Sequence, residues 1–571
     1  MLNRRIAGIF RNIAGLLEIK GENPFRVRAY LRAADSLEDV AEDLEDVERE
    51  GRLTVIPGIG RDLADKIREF ICYDRIEYYE RLRRDLPEGL LEVLSVPGLG
   101  PKTAKLLFDN LGVDGIVALE KCVRDGRLRS LPGIKKTTEN NILRGIVLAK
   151  RGREQMHLGA AWGAGEEFAR LLRAETAGEK SALVGDVRRM KEAMRKIDIL
   201  VSSLNPRQII DAFTSAEEVK VVLSRSGAQA CLLNNDDMQV HLRVVAPEAW
   251  GAALIYDTGS PRHNAGLRNL VIEKGLRLNR YGLIRNEEVI SWGEDEAGIY
   301  RILGLPYIPP ELREGRGEIE AALNSNLPCL VEAGDIRGDL HIHSLYSDGR
   351  STIEDIAGAA QEMGYEYVAV TDHSVSLKVA RGLDEAALDK KRREILALNK
   401  KFKTKIFLGA EVELDGDGNC DYPARVLERL DIVIGAVHSR FRQGRDKMTQ
   451  RLINACRNKH IDIIAHPTGR LWGARKECEI DLDSLFRAAA DTQTILEINA
   501  SPTRLDLNDV NARRAGELGV KFVISTDAHD CRRLNDMRFG LGVARRAWLG
   551  KEAIINTLSL RDISETIFIN P

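Results

Sequence analysis

The sequence lacks the features that mark membrane, secreted and disulfide-stabilised proteins. It has no run of 18 apolar residues, and the start Met1-Leu-Asn-Arg-Arg has no long apolar core of a signal peptide. Its eight cysteines are scattered with no CxxC pair, which argues against a disulfide framework or a zinc ribbon and favours reduced thiols. These absences predict a soluble, cytoplasmic chain with no membrane partner.

An excess of charge of one sign is also lacking. Lysine and arginine number 85 and aspartate and glutamate 87, for a net charge of -2. This balance argues against a protein that coats nucleic acid by bulk charge, but it leaves local binding sites open. A chain of 571 residues is too long for one core, so several domains are expected.

Histidines are few, ten in all, yet six of them occupy one kind of position. Each ends a short apolar, β-branched run, and one glutamate does the same: His341, His343, His373, His438, His466, His529 and Glu411. A lone buried histidine is usually structural, whereas imidazoles and carboxylates at the ends of successive strands form a cage for several metal ions. The pattern predicts a metal-dependent enzyme.

The same region alternates strand-like and helix-like segments. Strands are predicted at 338–343, 367–372, 406–411, 431–437, 461–465, 495–499 and 521–526, and helices at 384–400, 447–458 and 509–518. Seven such units predict a parallel barrel, in which active residues lie at the carboxyl ends of the strands. His460 precedes a strand, and we interpret it as a surface residue.

Nine residues are candidate metal ligands. They are His341, His343, Asp348, His373, Glu411, His438, His466, Asp527 and His529. Nine ligands exceed what one or two ions take from a protein, so three divalent ions are predicted, and mixed ligation suits Mn, Zn or Fe. Such clusters suit phosphoester hydrolysis. Asp372 and Asn499 are predicted to orient the ligands, and Arg470 and Arg504 either hold a phosphate or form solvated salt bridges.

The motifs of this region resemble the PHP (polymerase and histidinol phosphatase) domain. They are HIHSLYSDG, VTDHS, GAEVEL, AVHSRF, IAHPTGR, LEINASPTRLDL and STDAH. The resemblance implies a distorted seven-stranded (β/α) barrel with a trinuclear metal site. It also implies that the nine residues are the metal ligands and the catalytic residues.

Two near-identical glycine turns stand in the first part of the chain. Val55-Ile-Pro-Gly58-Ile-Gly60 and Ser95-Val-Pro-Gly98-Leu-Gly100 are each followed by a predicted helix with a lysine, Lys102 in the second. Backbone N–H groups of such turns can face a phosphate at a helix N-terminus. The turns resemble helix-hairpin-helix motifs, which hold DNA backbone without reading sequence. A third copy, Leu131-Pro-Gly-Ile-Lys135, has lysine in place of the second glycine.

The resemblance extends to family-X DNA polymerases of the bacterial PolX type. Its motifs are Glu18-Ile-Lys-Gly-Glu-Asn-Pro-Phe-Arg, Val184-Gly-Asp-Val-Arg-Arg189, Lys196-Ile-Asp-Ile-Leu200, Tyr256-Asp-Thr-Gly-Ser260 and Leu278-Asn-Arg-Tyr-Gly282. The resemblance implies a multidomain α/β chain. The expected parts are a helical N-terminal domain (1–85), helix-hairpin-helix fingers (86–155), a nucleotidyltransferase-like palm (156–245), a thumb (246–315), a linker (316–336) and the PHP domain (337–571).

The palm departs from its family where the chemistry should lie. The family carries three aspartates that hold Mg²⁺ against the triphosphate, whereas this chain has Lys196, Asp198 and His241. Asp186, in the same motif as Arg189, replaces a serine that would contact the nucleotide phosphates, and its charge would repel them. Asp257 replaces an aromatic residue at which the family's polymerases bind the incoming nucleotide. We therefore predict a palm silent in DNA synthesis, without bound Mg²⁺.

The leading interpretation is a monomeric DNA-repair nuclease. The resemblance implies 3′→5′ exonuclease activity on gapped, nicked or 3′-ended duplex, with abasic-site cleavage or 3′-phosphate removal as further activities. Three alternatives stay open: a working gap-filling polymerase with exonuclease, a small-molecule PHP phosphatase, and a non-catalytic repair scaffold.

Overall fold

The computed structural model describes most of the chain. The described residues are 2–39, 44–49, 51–73, 75–85, 87, 89–94, 96, 99–131, 134, 139, 142–143, 145–146, 155–175, 180–285, 288–291 and 294–567. They divide into two compact units: the first contains 1–155, 216–225 and 230–239, and the second contains 156–215, 226–229 and 240–571. The domain boundaries predicted from the sequence stay predictions.

Helices alternate with strands through much of the chain. The α-helices are α1 Leu2–Lys20, α2 Pro24–Asp39, α3 Leu44–Arg49, α4 Arg61–Tyr73, α5 Glu77–Arg84, α6 Leu90–Leu94, α7 Pro101–Leu111, α8 Ile116–Arg124, α9 Leu158–Glu175, α10 Gly185–Arg188, α11 Pro206–Ser215, α12 Trp250–Thr258, α13 Pro261–Glu273, α14 Glu296–Ile302, α15 Glu318–Leu323, α16 Ile353–Glu362, α17 Glu385–Leu398, α18 Ala424–Leu427, α19 Arg445–Cys456, α20 Leu482–Thr492, α21 Asp509–Glu517, α22 Met537–Arg546 and α23 Leu560–Ile567. Short 3-10 helices are Leu53–Val55, Arg127–Ser130, Pro247–Ala249, Pro310–Leu312, Ala333–Asp335, Lys378–Ala380, Cys531–Asp536, Lys551–Ala553 and Ile555–Thr557.

The strands fall into a central group and a C-terminal group. They are β1 Met156–His157, β2 Ser181–Val184, β3 Ala193–Met194, β4 Ile197–Ser202, β5 Val219–Arg225, β6 Gln229–Asn234, β7 Gln239–Val245, β8 Arg277–Asn279, β9 Gly282–Arg285, β10 Glu288–Ser291, β11 Gly338–Ile342, β12 Tyr367–Val370, β13 Lys405–Glu413, β14 Ile432–Ala436, β15 Ile463–Ile464, β16 Ile495–Asn499 and β17 Phe522–Ser525. All seven strands predicted from Gly338 onward are present.

The N-terminal region is helical because its apolar residues recur at helical spacing. Residues such as Ile6, Phe10, Ile13 and Leu17 on α1 are fully buried. Phe10 meets Tyr30 of α2 edge to face, with ring centroids 5.4 Å apart. A second apolar cluster, centred on Val93, Leu107 and Leu119, gathers α6 to α8.

The central strands pair as a small sheet. β2 runs antiparallel to β4, and β4 runs parallel to β7 with Asp198 opposite His241. β5 and β6 pair antiparallel. The three short strands β8, β9 and β10 form a separate antiparallel sheet.

The predicted linker 316–336 is partly helical. Its helix α15 packs onto the preceding helical layer, where Ile319 lies in one apolar cluster with Leu267 and Tyr300. Glu318 and His263 are both fully buried, and Nδ1 of His263 lies 2.8 Å from Glu318 Oε1. Packing of α15 against the neighbouring helices therefore holds this segment in place.

The C-terminal region is a nearly closed parallel barrel. The strands are paired in chain order from β11 to β17, every pair is parallel, and most strands are buried throughout. Burial on both faces produces the continuous apolar runs of the sequence. A parallel bridge between Ile342 and Ala528 draws the two ends of the sheet together. All the carboxyl ends therefore meet at one mouth.

The stability of the barrel is expected to depend on the protonation of Asp462, which lies just before β15. Burial raises the pKa of Asp462 to about 7, and the hydrogen bond that its Oδ2 accepts from Val433 N, at 2.8 Å, offsets only part of this. Because the folded-state pKa is raised, stability falls as pH rises from about 4 through about 7.

Asp462→Asn keeps the accepting oxygen. We expect the variant to lose this decline, with a higher melting temperature than wild type at pH 8 and a smaller difference at pH 5. Parallel melting curves of the two proteins across this range would contradict the assignment.

Candidate functional site

The barrel mouth brings all nine candidate ligands together. His341 and Glu411 lie within β11 and β13, and the other seven follow strand ends. Three groups have their ligand atoms within 4.8 Å of one another: His343, Asp348, His373 and His529; His341, His343 and Asp527; and His373, Glu411 and His438. Because His343 and His373 are each shared by two groups, and His466 contacts Glu411, the nine residues form one connected cage.

Glu411 lies at the centre of the cage. Its Oε1 is 2.9 Å from His466 Nε2 and 3.3 Å from His438 Nε2. Its Oε2 is 2.9 Å from His373 Nδ1 and 3.5 Å from Nε2 of both His341 and His343. One carboxylate thus lies within 3.5 Å of five imidazoles.

Burial and neighbouring charges shift the pKa values of the cage residues. Burial alone would lower the pKa of His341, but Glu497, Glu411 and Asp527 outweigh it and raise that pKa well above its usual range. Burial would raise the pKa of Glu411, but three surrounding histidines hold it well below its usual range. Burial, reinforced by His373 and His529, lowers the pKa of His343 to about 4. Deprotonated carboxylates and a neutral imidazole are the forms that bind metals.

The geometry fits divalent ions. His341 Nε2 and His343 Nε2 are 3.1 Å apart, and His343 Nε2 is 3.2 Å from Asp527 Oδ1. Two ligands on one tetrahedral ion with bonds near ~2.1 Å lie about 3.4 Å apart. The buried Nδ1 of His343 has no hydrogen-bond partner, and the nearest carboxylate, Asp348 Oδ1, is 3.8 Å away. A buried imidazole nitrogen without a partner, facing a carboxylate, is a metal-ligand arrangement.

The cage has one exposed side. The Asp348 and His529 side chains are 35 and 34% exposed, whereas those of His341, His343 and Glu411 are at most 1% exposed. Asp348 and His529 are therefore the most solvent-exposed members of the cage.

Two acids orient the histidines, and neither was predicted from the sequence. Glu497 Oε1 lies 2.7 Å from His341 Nδ1, and its Oε2 accepts a 2.7 Å bond from His466 N. Glu413 Oε2 lies 3.0 Å from His438 Nδ1. Carboxylates behind ligating histidines fix their tautomer and ring orientation. A sequence pattern could have indicated this role. Glu413 and Glu497 each lie two strand residues from another polar residue, Glu411 and Asn499, and residues two apart on a strand point to the same face.

Asp372 holds the loop that carries Asp348. Asp372 accepts hydrogen bonds from both the backbone and the hydroxyl of Ser344 at 2.8 Å and from the Ser347 hydroxyl at 2.7 Å. Its other partner is Lys391 Nζ of α17, fully buried at 2.8 Å, which also donates to two strand carbonyls. The predicted orienting role of Asp372 fits these contacts.

Asn499 and the two arginines have distinct surroundings. Asn499 Nδ2 donates to Glu497 Oε2 at 3.1 Å and to Asp527 Oδ2 at 3.2 Å, in keeping with an orienting role. Arg504 Nε lies 3.1 Å from Asp527 Oδ2, and its Nη1 is buried without a hydrogen-bond partner. Arg470 instead forms an ion pair with Glu192. Phosphate contact by either arginine stays a prediction.

The two glycine turns have one backbone hydrogen bond in common. Ile59 N donates to Ile56 O at 3.0 Å, and Leu99 N donates to Val96 O at 3.0 Å. Gly60 and Gly100 directly precede α4 and α7, and Gly60, Gly100 and Lys102 are exposed. Gly58 adopts a φ of 84°, a conformation that favours glycine. Gly98 and most of the third copy, including Lys135, lie outside the described residues.

The predicted polymerase site holds an ion pair instead of a carboxylate cluster. Lys196 Nζ lies 2.7 Å from Asp198 Oδ1, and His241 Nδ1 lies 3.7 Å from the same oxygen. Burial lowers the pKa of His241, which favours its neutral form. Asp257 lies 3.1 Å from Arg243 Nε and 3.6 Å from Arg280. The acidic groups here are matched by cations of the chain itself.

Asp186 forms an ion pair within the chain. The sequence suggested that its charge repels nucleotide phosphates, but the Asp186 carboxylate is paired with Arg189. Arg189 also contacts Glu314 at 3.0 Å and the Thr258 carbonyl, and it is 4% exposed. Asp186 is therefore paired within the chain, and Arg189 is itself enclosed by protein acceptors.

Comparisons with known proteins agree with these features. Residues 1–75 match a helix-hairpin-helix domain, 90–146 a SAM-like helix-hairpin-helix tandem, 253–314 the DNA polymerase beta thumb and 339–501 the PHP domain. The chain is 36% identical over 571 residues to the DNA polymerase/3′-5′ exonuclease PolX of Bacillus subtilis (strain 168), covering 99% of both chains. The chain belongs to the PolX family. Its fold class and its C-terminal PHP domain are as predicted, and the PHP domain makes it a metal-dependent hydrolase.

The barrel has separate relatives. It is 29% identical over 231 residues to a probable phosphatase of Thermoanaerobacter sp. (strain X514), and 30% identical over 231 residues to one of Syntrophotalea carbinolica. Each match covers 38% of this chain and 89 or 90% of the relative. In the part of the chain that the structure describes, none of the helices is both long enough and apolar enough to span a bilayer.

Proposed function

We propose that this PolX-family chain is a DNA-repair nuclease that shortens DNA strands from their 3′ ends at the barrel mouth. The observation that carries the proposal is the contrast between its two centres. The nine-residue cage is complete, while the polymerase position retains Asp198 alone, bound to Lys196 at 2.7 Å.

The nine residues would hold three divalent ions, of Mn, Zn or Fe type. Three overlapping ligand groups that share His343 and His373 around the central Glu411 support that number. Ions bound there supply Lewis-acid stabilisation of phosphate charge and lower the pKa of water. Glu497 and Glu413 hold three of the histidines in position, and Asp372 holds the loop that carries Asp348.

Arg504 would bind the phosphate undergoing cleavage. Its Nε contacts Asp527, while the N–H groups of its buried Nη1 have no hydrogen-bond partner. A guanidinium carries its charge at all relevant pH values and matches phosphate oxygens in two-point geometry. We expect the DNA strand to enter from the exposed side, past Asp348 and His529.

The N-terminal turns would hold the duplex. Gly58, Gly60 and Gly100 are exposed, and backbone N–H groups of the two turns would donate to phosphates, while Lys102 adds a positive charge at the start of α7. Contacts of this kind fix position without reading sequence, which suits an enzyme acting at gaps, nicks or 3′ ends of any sequence. We propose that it acts as a monomer.

The test compares wild type with His341→Ala on gapped duplex whose interrupted strand carries a 5′ label. With Mn²⁺ and no nucleotides, wild type is expected to shorten the labelled strand one nucleotide at a time. Loss of a ligand from the cage should reduce the rate by at least ~10²-fold. His460→Ala, which changes a histidine outside the cage, is the matched control and should behave as wild type.

The other outcomes are equally informative. Release of the label as a single nucleotide would indicate the opposite polarity. Shortening by His341→Ala at the wild-type rate would place the activity elsewhere. Hydrolysis of small phosphate monoesters alone would favour the phosphatase function, which the similarity of the barrel to probable phosphatases supports as the second candidate.

A further inference from the structure

The loop after β16 lies between the palm and the metal cage. We call residues 501–506 the Arg504 loop. Its own backbone bonds, from Arg504 N and Leu505 N to Ser501 O at 2.8 and 2.9 Å, give it a compact turn. Because Arg504 Nε lies 3.1 Å from Asp527 Oδ2, any shift of the loop moves this guanidinium relative to the cage.

Arg470 ties the Arg504 loop to the palm. It donates from Nε to Arg504 O and from Nη2 to Leu505 O, both at 2.5 Å. Nη2 also lies 2.7 Å from Oε2 of Glu192, in the short segment between α10 and β3. One guanidinium, 12% exposed, thus joins a palm carboxylate to the backbone that carries Arg504.

Helix α9 of the palm packs on the same loop. A Cβ at Gly159 would lie 2.6 Å from both Cβ and Cγ of Pro502, closer than real Cβ contacts. The glycine therefore lets helix and loop approach to a distance that no other residue allows. Four residues further along the same helix, a Cβ at Gly163 would meet nothing within 4 Å.

From these contacts we propose that the palm is a structural part of the nuclease centre, with Glu192 and Gly159 as positioning residues for Arg504. The inference rests on the proposed function, in which Arg504 contacts the phosphate. Glu192 acts through Arg470 on the loop carbonyls, and α9 sets the position of Pro502. A displacement of about 1 Å at a group that orients substrate can cost roughly 10²-fold in rate. This role needs no nucleotidyl transfer, so it persists without the polymerase aspartates.

The first test uses two glycine substitutions in one helix. Gly159→Ala should lower the turnover rate on 3′-ended DNA by about 10-fold, because the new methyl group pushes Pro502 and its loop. Alanine is the better helix former, so the melting temperature should not fall by loss of helix stability. Gly163→Ala should retain wild-type turnover. Equal activity of Gly159→Ala and Gly163→Ala would overturn the proposal.

The second test is a double-mutant cycle between Glu192→Gln and Arg504→Met. Glu192→Gln should lower turnover by about 5- to 10-fold with unchanged metal content, and the double variant should be no slower than Arg504→Met alone. A purely structural role of Glu192 would make the two losses multiply. Glu166→Gln, which breaks an exposed ion pair with Arg173 on α9, is the control and should match wild type.

The two proposals fail in different ways. If Arg504→Met has wild-type activity, the phosphate role of Arg504 is wrong. If Arg504→Met is impaired while Glu192→Gln and Gly159→Ala are not, the function stands and the positioning role of the palm is wrong. Losses that multiply in the cycle likewise overturn the positioning role of the palm and leave the proposed function standing.

Discussion

Glu411→Gln is expected to reduce nuclease activity by at least ~10³-fold, because the negative charge at the centre of the cage is lost while the shape of the side chain is kept. The two Glu411 oxygens touch five imidazoles at distances from 2.9 to 3.5 Å. Lewis-acid stabilisation is worth several kcal/mol, and each factor of ten in rate corresponds to about 1.4 kcal/mol. Single-turnover cleavage rates and the metal content of the purified protein, measured together, check the expectation.

A graded control separates ligand loss from general disturbance. Glu413→Gln removes the charge that orients His438 through a 3.0 Å contact, and should cost about 10- to 100-fold. Glu362→Gln changes an exposed glutamate at the end of α16 and should leave both the rate and the metal content unchanged. Activity of Glu411→Gln within ten-fold of wild type, with metal retained, would remove Glu411 from the centre of the mechanism.

The barrel could be predicted from the sequence because its strands are buried on both faces. Each strand is a short apolar run, and the runs end at a histidine or an acid at or near the carboxyl end. β13 extends to Glu413, two residues past the predicted end, so the strand carries both Glu411 and Glu413. The missed orienting role of Glu413 follows from that boundary, since residues two apart on a strand point to the same side.

Contacts between distant segments could not be predicted from local patterns. The buried pairs of Lys391 with Asp372 and of Arg470 with Glu192 depend on which helix packs on which strand. For this reason the sequence allows two interpretations of Arg470, a phosphate contact or a salt bridge. An arginine near a strand end suits a phosphate and a carboxylate equally well. The sequence also indicated that the polymerase site is altered, but not that Arg189 is enclosed by acceptors.

The proposal of a silent palm rests on the charges at the predicted polymerase site. Where the family carries three aspartates, Lys196 and Asp198 form a pair with no net charge and His241 is favoured in its neutral form. Two Mg²⁺ ions need several oxygen ligands in near-octahedral geometry, and the ammonium group of Lys196 repels them. Arg189 is bound to Asp186 and Glu314, which supports the proposed absence of triphosphate binding.

Wild type is therefore expected to show no templated incorporation on gapped DNA with Mg²⁺ or Mn²⁺, and Asp198→Ala should not change this. In this assay the protein with the natural palm and every palm variant carry Glu411→Gln as well, so that shortening of the strand does not mask its extension. Restoring the carboxylates with Lys196→Asp and His241→Asp should produce metal-dependent incorporation at least ~10²-fold above wild type, since the transferred phosphoryl group is stabilised almost entirely by positioning and charge. Adding Asp198→Ala to the restored variant should abolish the gain. Robust incorporation by the unrestored protein, lost on Asp198→Ala, would instead show that one carboxylate suffices and that the palm still synthesises DNA.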